Sequence, residues 1–127
     1  MKKVTGIGGI FFKSKDPNSL REWYRKHLGI ESESWGGFSF NWQDDPKNDG
    51  GQTVWSVFPA DTKHFEPSNA SFMINFRVED LDWLLTQLSA EGVEVGPKME
   101  DPGMGKFSSI MDPEGNRIEL WEPPKTA

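Results

Sequence analysis

The sequence has no cysteine. That excludes disulfides, iron–sulfur clusters, thiolate zinc sites and a cysteine nucleophile, and it favours a reducing compartment, with the cytoplasm as the expected location. Long apolar runs are missing too. Nothing approaches the about 18 residues that a membrane-spanning helix requires, so no membrane association is expected. The start, Met1-Lys2-Lys3 followed by Val4 to Phe12, has the faint outline of a secretory signal, but it is short, glycine-rich and ended by Lys13 with no small-residue cleavage site. It reads as a strand. Basic residues are in deficit, 14 against 20 acidic ones for a net charge of −6. No basic cluster is long enough to release many phosphate counterions, so nucleic acid is not an expected partner and a small organic ligand is.

Aromatic side chains, by contrast, are plentiful: six tryptophans and nine phenylalanines in 127 residues. They bury large areas whether they fill a core or line an apolar pocket, so their number alone does not choose between the two. A chain of this length makes one domain, which buries roughly two thirds of the surface its unfolded form exposes.

The apolar pattern places the elements. Val4 to Phe12 carries Ile7, Ile10, Phe11 and Phe12, which suits a strand buried on both faces. Asp16-Pro17 is an N-cap followed by a first helical residue. Leu20, Trp23, Tyr24 and Leu28 then recur as an apolar stripe, and Gly29 closes the helix as a left-handed cap. Three strands are predicted next: Ile30 to Ser34, Gly37 to Trp42 with Phe38, Phe40 and Trp42 on one face, and Gln52 to Phe58. The loop 44–51 joins the last two as a hairpin, and residues 60–69, with Pro67 and His64, form a linker. The order then repeats. Ser71 to Val78 is a strand, Asp80 caps a helix striped by Leu81, Leu84, Leu85 and Leu88 that ends at Gly92, and Val93 to Val95, Phe107 to Met111 and Arg117 to Trp121 are strands.

An offset of 64 residues lays Gly9 on Met73, Phe12 on Phe76, Lys13 on Arg77, Asp16 on Asp80, Trp55 on Glu119 and Pro59 on Pro123. This is an internal duplication. Its period exceeds the about 20 to 50 residues of solenoid repeats, so each copy is a half-domain, with module one at about 1–59 and module two at about 70–123.

The stretch from Phe107 to Pro123, with its Asp112-Pro113-Glu114-Gly115-Asn116 turn leading into Arg117-Ile118-Glu119, resembles the closing hairpin of the vicinal-oxygen-chelate superfamily of glyoxalase, bleomycin-resistance and extradiol-dioxygenase proteins. Pro113 presets φ, Gly115 and Asn116 tolerate positive φ, and the turn sets Arg117, Glu119 and Trp121 on one strand face. The stretch Ile10 to Gly29 is similar to the opening of such proteins. The resemblance implies an α+β fold of two βαβββ modules whose curved mixed sheets wrap a shared cavity, usually in a homodimer. In metal-using relatives four ligands come from the first and last strands of the modules. The corresponding positions here are Gly9, Trp55 (or Ser56, one residue on), Met73 and Glu119. Glycine has no side-chain donor, a thioether prefers soft ions and an indole N–H only donates, so Glu119 alone suits a hard ion and neither a metal nor another cofactor is expected.

Alternation along the strands puts Phe11 and Lys13 on the face of Gly9, and Asn75 and Arg77 on the face of Met73. With Phe38, Phe40, Trp55 and Trp121, these residues and Met73 are the candidate ligand-binding set, Lys13 or Arg77 being placed to accept a carboxylate or phosphate. The plainer reading leaves both cations at exposed strand ends or paired with Glu119. Glu119 is also the candidate general base. His27 reads as an imidazole packed near a helix C-terminus, and His64 as a surface histidine with a place over the pocket mouth as its alternative.

Other signatures fail. Gly6-Ile7-Gly8-Gly9 lacks the third glycine of a dinucleotide fingerprint, the acidic loop 45–50 has Lys47 at a calcium-ligand position and no glutamate at the twelfth, and no strand-turn-helix presents a serine nucleophile. The expected function is metal-independent binding of an organic molecule, sequestered or sensed in an aromatic cavity. The alternative is a lyase, isomerase or dioxygenase-like enzyme with a shifted metal site or Glu119 as base. A third reading is an interaction module whose cavity its own tryptophans fill.

Overall fold

The two halves of the duplication meet edge to edge. The computed structural model describes residues 4–42 and 51–124, and in it β1 (Val4–Ser14) runs antiparallel to β4 (Phe72–Val78) along the middle of the sheet. Beside β1 lies β3 (Gln52–Pro59), parallel to it, and beyond that β2 (Gly37–Asn41). Beside β4 lies β7 (Arg117–Glu122), again parallel, followed by β6 (Gly105–Met111) and β5 (Met99–Asp101). The sheets expected of the two modules are thus joined within one chain into a single mixed sheet of order β2-β3-β1-β4-β7-β6-β5, curled into a half-barrel. The fold is α+β. The predicted 44–51 hairpin loop falls, but for Gly51, outside the described residues, as does the acidic stretch 45–50.

Both helices lie on the outer face, α1 (Pro17–Leu28) against β1 and β3 and α2 (Leu81–Ala90) against β6 and β7. Their ends follow the chemistry of their caps. The Asp16 carboxylate accepts from the Ser19 N–H at 3.1 Å, Gly29 stands at φ 72°, and the Asp80 carboxylate accepts from the Trp83 N–H at 3.1 Å. Glu122, at the end of β7, accepts from the Leu81 N–H at 2.8 Å, so a strand carboxylate also answers the positive end of α2.

The main core lies under α2, where Val78, Leu81, Leu84 and Leu120 are buried. The stripe of α1 behaves differently from its expected burial. None of its residues is buried, Trp23 and Leu28 stay 50% and 62% exposed, and contact with the sheet runs through Tyr24 against Phe12 and Trp55. Arg21 supplements it, donating from Nε to the Gly36 carbonyl at 3.0 Å and from Nη2 to the Val57 carbonyl at 2.7 Å.

Two predicted strands are absent. Ile30 to Ser34 forms no strand among the described residues, because the chain turns at Glu33–Gly36, where the Gly36 N–H meets the Glu33 carbonyl at 2.9 Å and the Glu33 N–H meets the Gly37 carbonyl at 2.8 Å. Val93 to Val95 shrinks to one bridge, Val95 to Ile110, since Pro97 has no N–H with which to continue it. Pairing with β6 resumes at the unpredicted β5. Among the described residues module one is therefore βαββ and module two βαβββ.

Candidate functional site

Strand register decides which side chains reach the inner face. In module two Asn75 stands opposite Glu119, and in module one Phe11 stands opposite Ser56. The separations are 119 − 75 = 44 and 56 − 11 = 45, so the modules differ by one residue between first and last strands. The residue equivalent to Glu119 is consequently Ser56, buried and facing inward, while Trp55 faces outward onto Tyr24 and Phe12. This corrects the 64-residue alignment at Trp55.

The closing turn sets Glu119 in place. The Asp112 carboxylate accepts from the backbone N–H groups of Glu114 and Asn116, and from Asn116 Nδ2, each at 2.9 Å. These bonds, led by that of the Asn116 side chain, hold the Asp112 carboxyl below its ordinary value. Gly115 takes φ 84° as expected, but Asn116 does not share the positive φ, and it serves instead as the donor that closes the turn. From there β7 carries Glu119 and Trp121 inward.

They meet a cavity of about 340 Å³. Phe11, Phe58, Phe107, Trp35 and Trp121 give it aromatic walls, and Met99 and Met104 of the β5–β6 hairpin form its lip. Trp121 is fixed by its indole N–H, which donates to the Met104 carbonyl at 2.6 Å, and by stacking on Phe107 at 6.0 Å. The lip is tied to α2 by Asp82, whose two oxygens lie 2.7 Å from Lys98 Nζ and 3.0 Å from Lys106 Nζ. Those hydrogen bonds lower the Asp82 pKa and raise both lysines.

The cavity has a small polar centre. Glu119 is 7% exposed and Asn75 2%. Asn75 Nδ2 donates to Glu119 Oε1 at 2.8 Å, and His64 Nε2 stands 3.2 Å from Oε2. Asn75 Oδ1 is buried with no hydrogen-bond partner among the described residues. His64 takes the alternative of its two expected places, over the cavity, with its side chain 40% exposed. The strap 60–69 plugs fully buried Phe65 into Phe11 and Met73, and this lays the preceding imidazole flat on Phe58 at 5.3 Å, over the cavity. An isolated phenylalanine in a polar, proline-containing linker is the signal that points to such an anchor.

Of the other candidates, Phe11, Asn75 and Trp121 line the cavity with Glu119, and Met73 is buried behind Phe11. The rest lie elsewhere. Lys13 sits over the Phe65 ring at 5.3 Å. Arg77 lies over Trp42 at 5.2 Å and Trp121 at 5.9 Å. Phe38 and Phe40 pack on each other, 4.9 Å apart, on β2. His27 is exposed and packs on Trp23 at 4.9 Å.

The four positions where the family places metal ligands hold Gly9, Ser56, Met73 and Glu119. They do not fit a hard ion. A side chain at Gly9 would meet the Phe11 ring at 2.7 Å and the Val54 carbonyl at 3.1 Å, Met73 offers a soft thioether, and Glu119 is already hydrogen-bonded to Asn75. Among the described residues no group of three or more His, Cys, Asp or Glu gathers to hold a metal. Among the described residues no helix is long and apolar enough to cross a membrane.

Solved structures share this architecture. Methylmalonyl-CoA epimerase from Mycobacterium tuberculosis superposes with a TM-score of 0.65 at 20% identity, covering 98% of this chain and 92% of that one. A Streptomyces coelicolor methylmalonyl-CoA epimerase variant in complex with 2-nitronate-propionyl-CoA gives 0.68 at 19% identity over 96% and 99%. The 2,3-dioxygenase LapB from Pseudomonas sp. KL28 gives 0.63 at 22% identity, over 98% of this chain and 43% of the dioxygenase. At these identities the likeness concerns the fold. No curated protein matches the sequence. The family model matches residues 6–120, nearly the whole chain. The chain belongs to the Glyoxalase/Bleomycin resistance protein/Dioxygenase superfamily.

Proposed function

We propose that the protein binds a small organic molecule in its aromatic cavity without a metal, sequestering or sensing it. The observation that supports this most is the makeup of the site: apolar rings around one buried carboxylate, with Gly9 and Met73 at positions where a catalytic ion would need hard donors. The direct test is binding by chelator-treated protein. Tryptophan fluorescence and thermal shift against a small-aromatic library should find ligands, because saturation at a hundred times the dissociation constant stabilises a fold by about 2.7 kcal/mol. Trp121→Ala should abolish the shift. Binding that appears only after a divalent ion is restored overturns the proposal.

A second reading draws on the 3.2 Å approach of His64 to Glu119. Glu119 would accept a proton from a bound carbon acid and pass it to His64, a proton relay in line with the epimerases among its structural neighbours. Loss of deuterium from an α-labelled carbonyl ligand would favour it. As for assembly, we read the protein as a homodimer, since Ile7, Ile10 and Phe72 leave a strip of the sheet exposed at 44%, 37% and 50%. Sedimentation should then give twice the chain mass of 14.4 kDa.

A further inference from the structure

We infer that the cavity selects a cation, a compact arylalkyl ammonium whose charge is set against Glu119 and whose carbon skeleton lies among the aromatic rings. The inference rests on the ligand-binding reading and names the class of its ligand.

Charge is the first ground. Glu119 is the sole acidic residue lining the cavity, and no lysine or arginine lines it among the described residues. The permanent cations nearby lie outside this lining: Lys13 over Phe65, Arg117 on the His64 carbonyl and, at 3.6 Å, the Met73 sulfur, and Arg77 over Trp42 and the cavity wall Trp121, its Nε buried with no hydrogen-bond partner among the described residues. An anionic ligand of the kind Lys13 and Arg77 suggest would therefore face a carboxylate in an apolar enclosure, which is strongly unfavourable.

Hydrogen-bonding capacity is the second. A carboxylate offers about four acceptor sites. Oε1 receives Asn75, and the neighbour of Oε2 is His64, whose side chain is 40% exposed and lies stacked on Phe58. An ammonium N–H placed beside Oε2 would supply a charge-assisted bond from inside the cavity, with His64 free to turn outward. The walls are the third ground. Phe11, Trp35, Phe58, Phe107 and Trp121 present ring faces, which attract a desolvated cation through their quadrupoles. The volume of about 340 Å³ accommodates one aromatic ring and a short alkyl arm.

The test compares phenethylamine, its neutral isostere 2-phenylethanol and the anion 3-phenylpropionate by titration calorimetry on chelator-treated protein at one ionic strength. The amine should bind at least about tenfold more tightly than the alcohol, and the propionate most weakly. Glu119→Gln should cost the amine about tenfold and leave the alcohol within about threefold. His64→Gln, at an exposed side chain that leaves the sheet untouched, should keep or improve amine binding. It keeps the inference testable if the Glu119 variant fails to fold. If the alcohol matches the amine, if the preference survives Glu119→Gln, or if His64→Gln costs the amine tenfold, the cation inference falls while the binding reading stands. If none of the three probes binds at millimolar concentration, the cation inference falls, and the library screen decides the binding reading.

Discussion

Replacing Asn75 by Leu keeps the branched outline and the number of side-chain heavy atoms and removes the one directed hydrogen bond that, among the described residues, reaches the buried Glu119 carboxylate. Asn75 is 2% exposed and Glu119 7%, so water has little access to replace the lost donor at Oε1. A hydrogen bond to a charged group is worth about 1.5–3 kcal/mol, and a buried charge stripped of its partner costs about 3–5 kcal/mol. His64 at 3.2 Å remains and moderates the loss, so about 2–4 kcal/mol is expected for Asn75→Leu. Removing both members, in Asn75→Leu with Glu119→Met, leaves no buried charge to desolvate and should return most of that loss. The assay is urea unfolding followed by tryptophan fluorescence for the wild type, the two single variants and the double variant. A loss below about 1 kcal/mol for Asn75→Leu, or a double variant no more stable than the single, would refute the picture of a dry carboxylate held by one amide.

Gly8→Ala should destabilise by about 1–3 kcal/mol and abolish ligand binding, because the added methyl would meet Asn75 Oδ1 at 2.2 Å and the Trp121 ring at 2.9 Å; calorimetry and urea melts check both. Asp82→Asn should loosen the Met99–Met104 lip, an effect seen as faster amide exchange in β5. Its stability deficit has a defined pH window. The Asp82 pKa is lowered, so its contribution is present above the ordinary 3.8 and is lost as pH falls through the folded value. Those of Lys98 and Lys106 are raised, so theirs are present below 10.5 and lost as pH rises through the folded values. The deficit of the variant relative to wild type should therefore be widest between these limits and shrink on either side.

Local chemistry is what the sequence conveys well. The caps at Asp16, Asp80 and Gly29, the turn from Asp112 to Asn116 and the inward aim of Glu119 all depend on neighbours within a few residues, and all stand where the pattern puts them. Distant relations fare worse. Trp55 and Ser56 exchange roles because one extra residue in module one slips the strand, and a slip by one reverses every face. His64 meets Glu119 across 55 positions of chain, a distance over which spacing carries no information. The half-exposed stripe of α1 shows the same limit. Periodicity identifies an amphipathic helix, but how deeply it settles depends on a groove made by Phe12, Trp55 and the reach of Arg21.

The pairing of β1 with β4 has a consequence for how the molecule divides. Phe11 and Ser56 belong to one half of the chain, Asn75 and Glu119 to the other, so neither half alone encloses anything. A proteolytic nick in the strap 60–69 would yield two fragments whose exposed central edges are each other's complement. Mixed together, they should reassemble with bimolecular kinetics, and occupancy of the cleft would report the reunion of the halves.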